Sequence, residues 1–159
     1  MYNKSEKSII AGFFSLTPND GNTYFYPASD PIKILPWRNH YGAGTYDTND
    51  FGWIPPKAGY YKASLTGRVR YPATNYPQFN LNFHVAIEGN VNIGSIGSIY
   101  VPAGIKDSYC VHAEFFFHVN DPTKKIYFRG YNNAGNYPTM AGYIMYVDDA
   151  NLTYEFIGE

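Results

Sequence analysis

The sequence predicts an all-β protein, a single antiparallel β-sandwich of about eight to ten strands. The dominant hydrophobic period along the chain is two, the period of a strand with one buried and one solvated face. Clusters of Gly, Pro, Asn and Asp separate the alternating runs. No segment keeps a helical stripe over three turns, and 15 Gly with 11 Pro argue against long helices.

Three long runs carry the alternation. In the run 79–87, phenylalanine, leucine, valine and isoleucine alternate with asparagine, histidine and alanine. The run 61–70 alternates apolar and small residues with lysine, arginine and hydroxyl side chains, and the run 111–119 places five apolar side chains on one face. Large apolar residues opposite charged and amide residues are typical of an antiparallel sheet with one solvated face.

Turn signals such as Asn19-Asp20-Gly21 and Asp148-Asp149 set the limits of the strands. No linker, internal repeat or low-complexity tract divides the chain, so we expect one domain over residues 1–159. The predicted strands, the last of them a hairpin, lie near residues 8–16, 32–37, 50–54, 59–71, 79–88, 93–100, 108–119, 124–131 and 141–157.

Composition narrows the classes of function. Hydrophobic residues make up 45% of the 159 residues and charged residues 16%, which argues against a disordered chain. The net charge of −1 comes from scattered residues, so we expect no nucleic-acid partner. Residues 1–7 are polar and no apolar run reaches the length of a membrane span, so we expect neither a signal peptide nor membrane insertion. The single cysteine, Cys110, leaves no pair for an internal disulfide.

The stretch from Trp53 to Tyr61 reads WIPPKAGYY, and its residue types suit either a ligand loop or the entrance of a strand. The two prolines hold the chain extended and lack an N–H, as suits a strand entrance. Gly59 permits a bulge or a close backbone approach. Since successive side chains of a strand point to opposite faces, one of Tyr60 and Tyr61 should fill the core and the other should point outward. These points favour the strand entrance.

Residues 46–61, YDTNDFGWIPPKAGYY, resemble the segment of C1q-like jelly rolls in the tumour necrosis factor/complement superfamily that leads into a long central strand. Residues 101–109, 124–132 and 141–146 resemble later segments of that fold, in the expected order. The resemblance implies an antiparallel jelly-roll sandwich and a homotrimer. The missing collagen-like lead and the loops rich in Asn, Tyr and Gly look more like the viral or bacteriophage fibre-head, spike and decoration proteins of similar fold.

Large apolar side chains also fall on the predicted outer faces, and an exposed apolar patch marks an interface. Glu114 is expected to pair with Arg129 or Lys125 across this interface. The alternative is that loops or the N-terminal segment cover these side chains within one subunit. The predicted trimer interface contains Tyr60, Glu114, Phe116, Tyr127, Arg129 and Tyr146.

Enzyme motifs are missing from the sequence, so we expect no catalytic activity and no cofactor. His112 and His118 share a strand face but lie about 20 Å apart on an extended strand, too far to hold one metal ion within a subunit. Asp148 and Asp149 point in opposite directions on a strand and make a poor acid–base pair. Oxygen ligands in the Asp- and Asn-rich turns leave Ca²⁺ open as an alternative.

Loops rich in Tyr, Asn, Trp and Gly suit the stacking and hydrogen bonding of glycans, and also the contacts of protein-binding loops. The leading hypothesis is a trimeric viral or phage fibre-head, spike or decoration domain that engages a host surface receptor or the capsid, on the virion surface or outside the cell. The alternatives are a carbohydrate-binding module or lectin, and a C1q/TNF-like ligand of a protein receptor. The predicted ligand-facing residues are Trp37, Arg38, Tyr41, Tyr76, Tyr131 and Asn133.

Overall fold

The computed structural model describes residues 9–16, 24–25, 33–34, 38–70, 79–89, 91–95, 99–102, 109–132 and 145–159. These residues form an all-β structure in which every strand pair is antiparallel, and no helix occurs among them. No helix in this part of the chain is therefore long and apolar enough to cross a membrane. The strands are β1 (Ile9–Leu16), β2 (Tyr24–Phe25), β3 (Lys33–Ile34), β4 (Arg38–Tyr41), β5 (Thr45–Asp47), β6 (Gly52–Ile54), β7 (Gly59–Arg70), β8 (Phe79–Ile87), β9 (Val91–Ser95), β10 (Ile99–Val101), β11 (Tyr109–Val119), β12 (Ile126–Asn132) and β13 (Met145–Gly158).

The strands form two sheets that pack face to face. Sheet I has the order β11-β7-β13-β1-β4, and β2 also pairs with β13. Sheet II has the order β10-β8-β12-β6-β5. In addition, β3 pairs with β12, and β9 pairs with β8. From β6 to β8 and again from β11 to β13, successive strands belong to alternate sheets, so their connections cross between the two layers. Such crossing connections are typical of a jelly roll.

The core lies between the sheets and follows the predicted alternation. On β11 all five expected residues are buried, from Val111 to Val119, and on β7 so are Tyr61, Ala63 and Leu65. Burial of one face at period two is what the strand geometry requires. The prediction of the core face is confirmed for these two strands.

The stretch that contains Trp53 and the two tyrosines is a strand entrance, as predicted. Trp53 is buried and its ring centroid lies 4.7 Å from that of Tyr154. Tyr61 is fully buried and its hydroxyl donates a hydrogen bond of 2.7 Å to the carbonyl oxygen of Lys57, whereas Tyr60 is 52% exposed. The pair therefore divides between core and outer face.

Gly59 begins β7 at a φ of 133°, a conformation that favours glycine. A Cβ at this position would lie 2.5 Å from the carbonyl oxygen of Gly158 on β13. The register of β13 on β7 shifts between Phe156 and Gly158, so the close backbone approach lies at a bulge.

Two predictions of strand limits are wrong. The strand expected over 93–100 is not one of them: β9 and β10 both pair antiparallel with β8, and residues 96–98 between them lie outside the described residues. The expected terminal hairpin is the single strand β13, in which a register shift between Asp148 and Asn151 takes the place of a turn. Strands β4 and β5 were not predicted, because each is too short to show alternation. One domain over residues 1–159 stays a prediction.

Candidate interaction surface

The outer face of sheet I carries side chains that strand pairing places in rows. On β7 the residues Tyr60, Lys62, Ser64 and Thr66 point outward, because Tyr61, Ala63 and Leu65 point into the core. In the antiparallel pairing of β11 with β7, His118 lies opposite Tyr60, Phe116 opposite Lys62 and Glu114 opposite Ser64. On β13, Glu155 lies opposite Lys62 on the other side.

One end of this face is apolar. Tyr60 is 52% exposed and Phe116 is 65% exposed, although both are large hydrophobic side chains. Ile157, in the bulge of β13, and Ile10, opposite Glu155 on β1, are also exposed. We call these four residues, Ile10, Tyr60, Phe116 and Ile157, the apolar patch. The ring of His118 lies at its margin, with its centroid 4.3 Å from that of Tyr60.

An ion-pair cluster interrupts the apolar patch, because strand register sets Lys62 and Glu155 between Phe116 and Ile10. The Nζ atom of Lys62 lies 3.0 Å from a carboxylate oxygen of Glu155 and 3.6 Å from one of Glu114. Ser64 donates a hydrogen bond of 3.1 Å to the same oxygen of Glu114. The hydrogen bond to Glu155, with the charges of both carboxylates, raises the pKa of Lys62. The cluster is solvent-exposed, so it fixes side-chain positions more than it stabilises the fold.

Glu114 therefore pairs within its own subunit. The pair with Arg129 or Lys125 across a trimer interface stays a prediction; within one subunit those two residues lie on sheet II or its flank, while Glu114 lies on sheet I. Sequence reasoning had no means of locating Lys62 beside Glu114, because the alternation shows which face a residue occupies but not which strand is its neighbour.

Tyr127 and Arg129 lie on the outer face of sheet II, since Ile126 and Phe128 between them point into the core. Phe116 and Tyr127 are thus on opposite sides of the sandwich, and one subunit does not join them in a single patch. The guanidinium of Arg129 lies 5.6 Å from the ring centroid of Tyr127. The Arg129 side chain is only 6% exposed, and its burial lowers the pKa of the guanidinium.

The prediction that the outer face of β8 is solvated is wrong for His84 and Ala86. Ala86 is fully buried and His84 is 8% exposed, although both point away from the core between the sheets. Register pairs His84 with Arg129 and Ala86 with Tyr127. Burial lowers the pKa of His84, and the positive charge of Arg129 lowers it further.

A second charged cluster joins the β5–β6 hairpin to the start of β12. The Nζ atom of Lys125 donates to Asp47 at 2.8 Å and to Asp50 at 2.7 Å, and the hydroxyl of Tyr127 donates to Asp50 at 3.1 Å. These bonds, led by that from Lys125, hold the pKa of both carboxyl groups below the usual range. Among the described residues no three His, Cys, Asp or Glu side chains converge as metal ligands, and the Ca²⁺ alternative stays untested.

Two of the predicted ligand-facing residues, Arg38 and Tyr41, lie on β4 at one edge of sheet I. Tyr41 is 53% exposed and stacks on Phe13, with ring centroids 5.1 Å apart. Tyr41 pairs with Phe13, which lies opposite Thr153 on the outer face, and Arg38 pairs with Ser15, two residues further along β1. Arg38 and Tyr41 therefore share the outer face that carries the apolar patch. Arg38 and Tyr41 on β4 therefore lie at one edge of sheet I, and Glu114 and Phe116 on β11 lie at the other.

The other predicted site residues fall outside what the structure describes. Trp37, Tyr76 and Asn133 lie outside the described residues. Tyr131 and Tyr146 are placed in β12 and β13 by their backbones, but their side chains are not among those described.

The two sheets, their strand order and their crossing connections define a C1q/TNF-like jelly roll. The solved structure of Eiger TNF from S. frugiperda superposes with a TM-score of 0.56 at 12% identity, over 96% of this chain and 95% of that chain. The arabinose-bound α-L-arabinofuranosidase MgGH51 gives a TM-score of 0.49 at 9% identity, over 92% of this chain and 27% of that chain, which is too weak to argue from. No protein-family model matches the sequence, and no curated protein matches it significantly.

The similarity to Eiger TNF shows the fold alone, because the identity is only 12%. It confirms the C1q/TNF-like part of the sequence resemblance. It gives no support to the viral or phage branch, which stays a prediction.

Proposed function

We propose that this protein is a non-enzymatic binding domain that assembles into a homotrimer through the apolar patch on the outer face of sheet I and presents its remaining surface, including the β4 edge of that sheet, to a receptor. The observation that carries the proposal is the apolar patch. Two of its members, Tyr60 and Phe116, are large hydrophobic side chains that are each more than half exposed on the outer face of sheet I.

Burial of such a patch gives a driving force for association. Soluble monomers rarely expose contiguous apolar surface without a partner for it. Each large side chain removed from water contributes about 1.5–3 kcal/mol, less the cost of ordering the subunits. The ion pair of Lys62 and Glu155 lies between Phe116 and Ile10, so the surface to be buried combines apolar and charged side chains.

A second copy of the chain is the occupant that we infer. A ring of three subunits needs no further gene product and buries the patch of every subunit. The fold similarity to Eiger TNF supports this choice only as an analogy of architecture. Receptor contact by Arg38 and Tyr41, and a location on a virion surface or outside the cell, belong to the same proposal.

Sedimentation velocity at micromolar concentration tests the assembly. We expect the wild-type protein to sediment at three times the 18.0 kDa of one chain. Phe116→Asp should give monomers, because it places three carboxylates in the buried patch. The fold should survive, since the side chain is 65% exposed in the single subunit.

Val91→Asp is the matched control. Val91 is 58% exposed and lies on β9, which pairs with sheet II, so this variant should sediment like the wild type. A monomeric wild type, or a Phe116→Asp variant that keeps the wild-type mass, would contradict the proposal. A Val91→Asp variant that also dissociates would show that the surface involved is not the one proposed.

A further inference from the structure

We propose that residues 45–51, which comprise β5 and the turn that follows it, form a lid over an aromatic cavity at the edge of sheet II, and that Lys125 latches this lid shut. We call the segment the hairpin lid. The lid opens while the rest of the sandwich stays folded. The inference goes beyond the proposed function, because it concerns a motion within one subunit and does not require assembly.

Burial distinguishes the hairpin lid from the residues that follow it. Every residue from 45 to 51 is exposed or half-buried. Gly52 is buried, and Trp53 is only 2% exposed. A segment with few buried contacts opens locally at a lower free energy than the core strands do. The boundary of such a segment therefore falls at Gly52.

Backbone pairing holds the hairpin lid along one side. In the described part of the chain, β5 pairs with β6 over three residue pairs and is the outermost strand of sheet II. β6 itself pairs with β12 through Trp53 and Ile126, while β3 occupies another part of the same edge of β12. Opening of the lid therefore breaks a ladder of three pairs and leaves the attachment of Trp53 in place.

Both ends of the hairpin lid are fixed by close backbone packing at a glycine. The amide N–H of Gly44 donates to the carbonyl oxygen of Ala11 at 3.2 Å, and a Cβ on Gly44 would collide with Nε1 of Trp53. A Cβ on Gly52 would lie 2.9 Å from Cδ of Lys125. Glycine allows the chain to turn where space is this short, so Gly44 and Gly52 serve as hinges.

The latch is a single ammonium group. The Nζ atom of Lys125 lies 2.8 Å from a carboxylate oxygen of Asp47 and 2.7 Å from one of Asp50, so it ties both ends of the turn to the start of β12. The hydroxyl of Tyr127 adds a hydrogen bond of 3.1 Å to Asp50. The side chains of Lys125, Asp47 and Asp50 are between 26% and 40% exposed, so salt screens these ion pairs.

A small cavity with aromatic walls lies beneath the lid. It has a volume of about 10 Å³, room for one water molecule. Phe51 and Tyr46 of the lid line it, together with Phe14, Trp53 and Tyr154 among the residues of the sandwich. Phe51 has a φ of 61°, a left-handed conformation that is unfavourable for a bulky residue. Opening the lid relieves this strain and exposes the aromatic wall.

Hydrogen–deuterium exchange of the full chain, read by mass spectrometry of its peptides, tests the inference. In the wild type, residues 45–52 should exchange faster than residues 61–65 of β7. Lys125→Met keeps the aliphatic stem and removes the ammonium. It should raise the exchange rate of residues 45–52 about tenfold and leave that of β7 unchanged, because hydrogen bonds between charged groups hold the closed lid. High salt should speed the exchange of the lid in the wild type and have less effect in Lys125→Met.

Lys62→Met is the matched control. It also removes an ammonium that lies between two carboxylates, but on the outer face of sheet I. This variant should leave the exchange of residues 45–52 unchanged. Equal acceleration of the lid and β7 in Lys125→Met would show that the lid does not open independently, and an unchanged lid would show that Lys125 is not its latch. Either result overturns the inference and leaves the proposed assembly intact, since sedimentation tests the assembly separately.

Discussion

The two outer faces of the sandwich differ in how much of their surface a single subunit covers. On sheet I, Phe116 is 65% exposed and Tyr60 is 52% exposed. On sheet II, by contrast, Arg129 is 6% exposed, His84 is 8% exposed and Ala86 is fully buried. Sheet II also exposes Val91 and Tyr100 on β9 and β10, but its outer face is covered at these positions of β8 and β12, whereas β7 and β11 of sheet I leave large apolar side chains in water.

This contrast locates the surface that is free for a partner. If polarity alone decided exposure, the guanidinium of Arg129 would lie in water and the ring of Phe116 would be covered. A buried guanidinium is costly unless its donors are satisfied, so a new charge on the covered face of sheet II should be poorly tolerated. The outer face of sheet I leaves large apolar side chains in water, so that face is available for assembly.

The largest expected effect on stability is the difference between a lysine introduced on the outer face of sheet II and one introduced on the outer face of sheet I. Ala86→Lys should destabilise the subunit by about 3 kcal/mol or more, because it forces a cation into a fully buried position near Arg129. Thr66→Lys, on the exposed face of sheet I, should change the free energy of unfolding by less than about 0.5 kcal/mol. Urea unfolding of the two variants measures this difference, and equal losses would remove the contrast between the faces.

A smaller effect is expected from pH. Because burial and Arg129 lower the pKa of His84, the unfolded chain binds a proton at this residue before the folded protein does. Stability is therefore fully present above about pH 6.5 and declines as the pH falls from there toward the folded value, by at most about 1.4 kcal/mol per pH unit.

Urea unfolding between about pH 7.5 and about pH 5 measures this slope. His84→Gln should flatten it, and the measurement should be made in the Phe116→Asp background so that assembly does not contribute. A slope unchanged by His84→Gln would mean that another group carries the acid sensitivity.

The smallest effect is expected at the ion-pair cluster of sheet I. Lys62→Met removes the ammonium between Glu114 and Glu155 and keeps the aliphatic stem. We expect a slight loss of thermal stability in dilute buffer that disappears in high salt, because exposed ion pairs are weak and screened. Differential scanning calorimetry at two salt concentrations measures it, and a large loss that salt does not reduce would show that this face stabilises the subunit after all.

The candidate surface could be predicted only in part. Strand alternation alone places Phe116 and Glu114 outward on β11, and the same rule divides Tyr60 from Tyr61. The rule does not show that β11 and β12 belong to different sheets, so it could not place their outward residues on opposite sides of one subunit. It failed for the outer face of β8, since periodicity cannot show that His84 is covered.

By itself the sequence determined the local facts of this protein: an all-β chain, the inward side of its long strands, and the strand entrance at Gly59, where a positive φ favours glycine. These follow from geometry that repeats every two residues along one strand. Only the tertiary structure decided which strands are neighbours, that Lys62 and not Arg129 meets Glu114, and which outer face stays open. Strand order depends on contacts between residues far apart in the chain, and no local period encodes them.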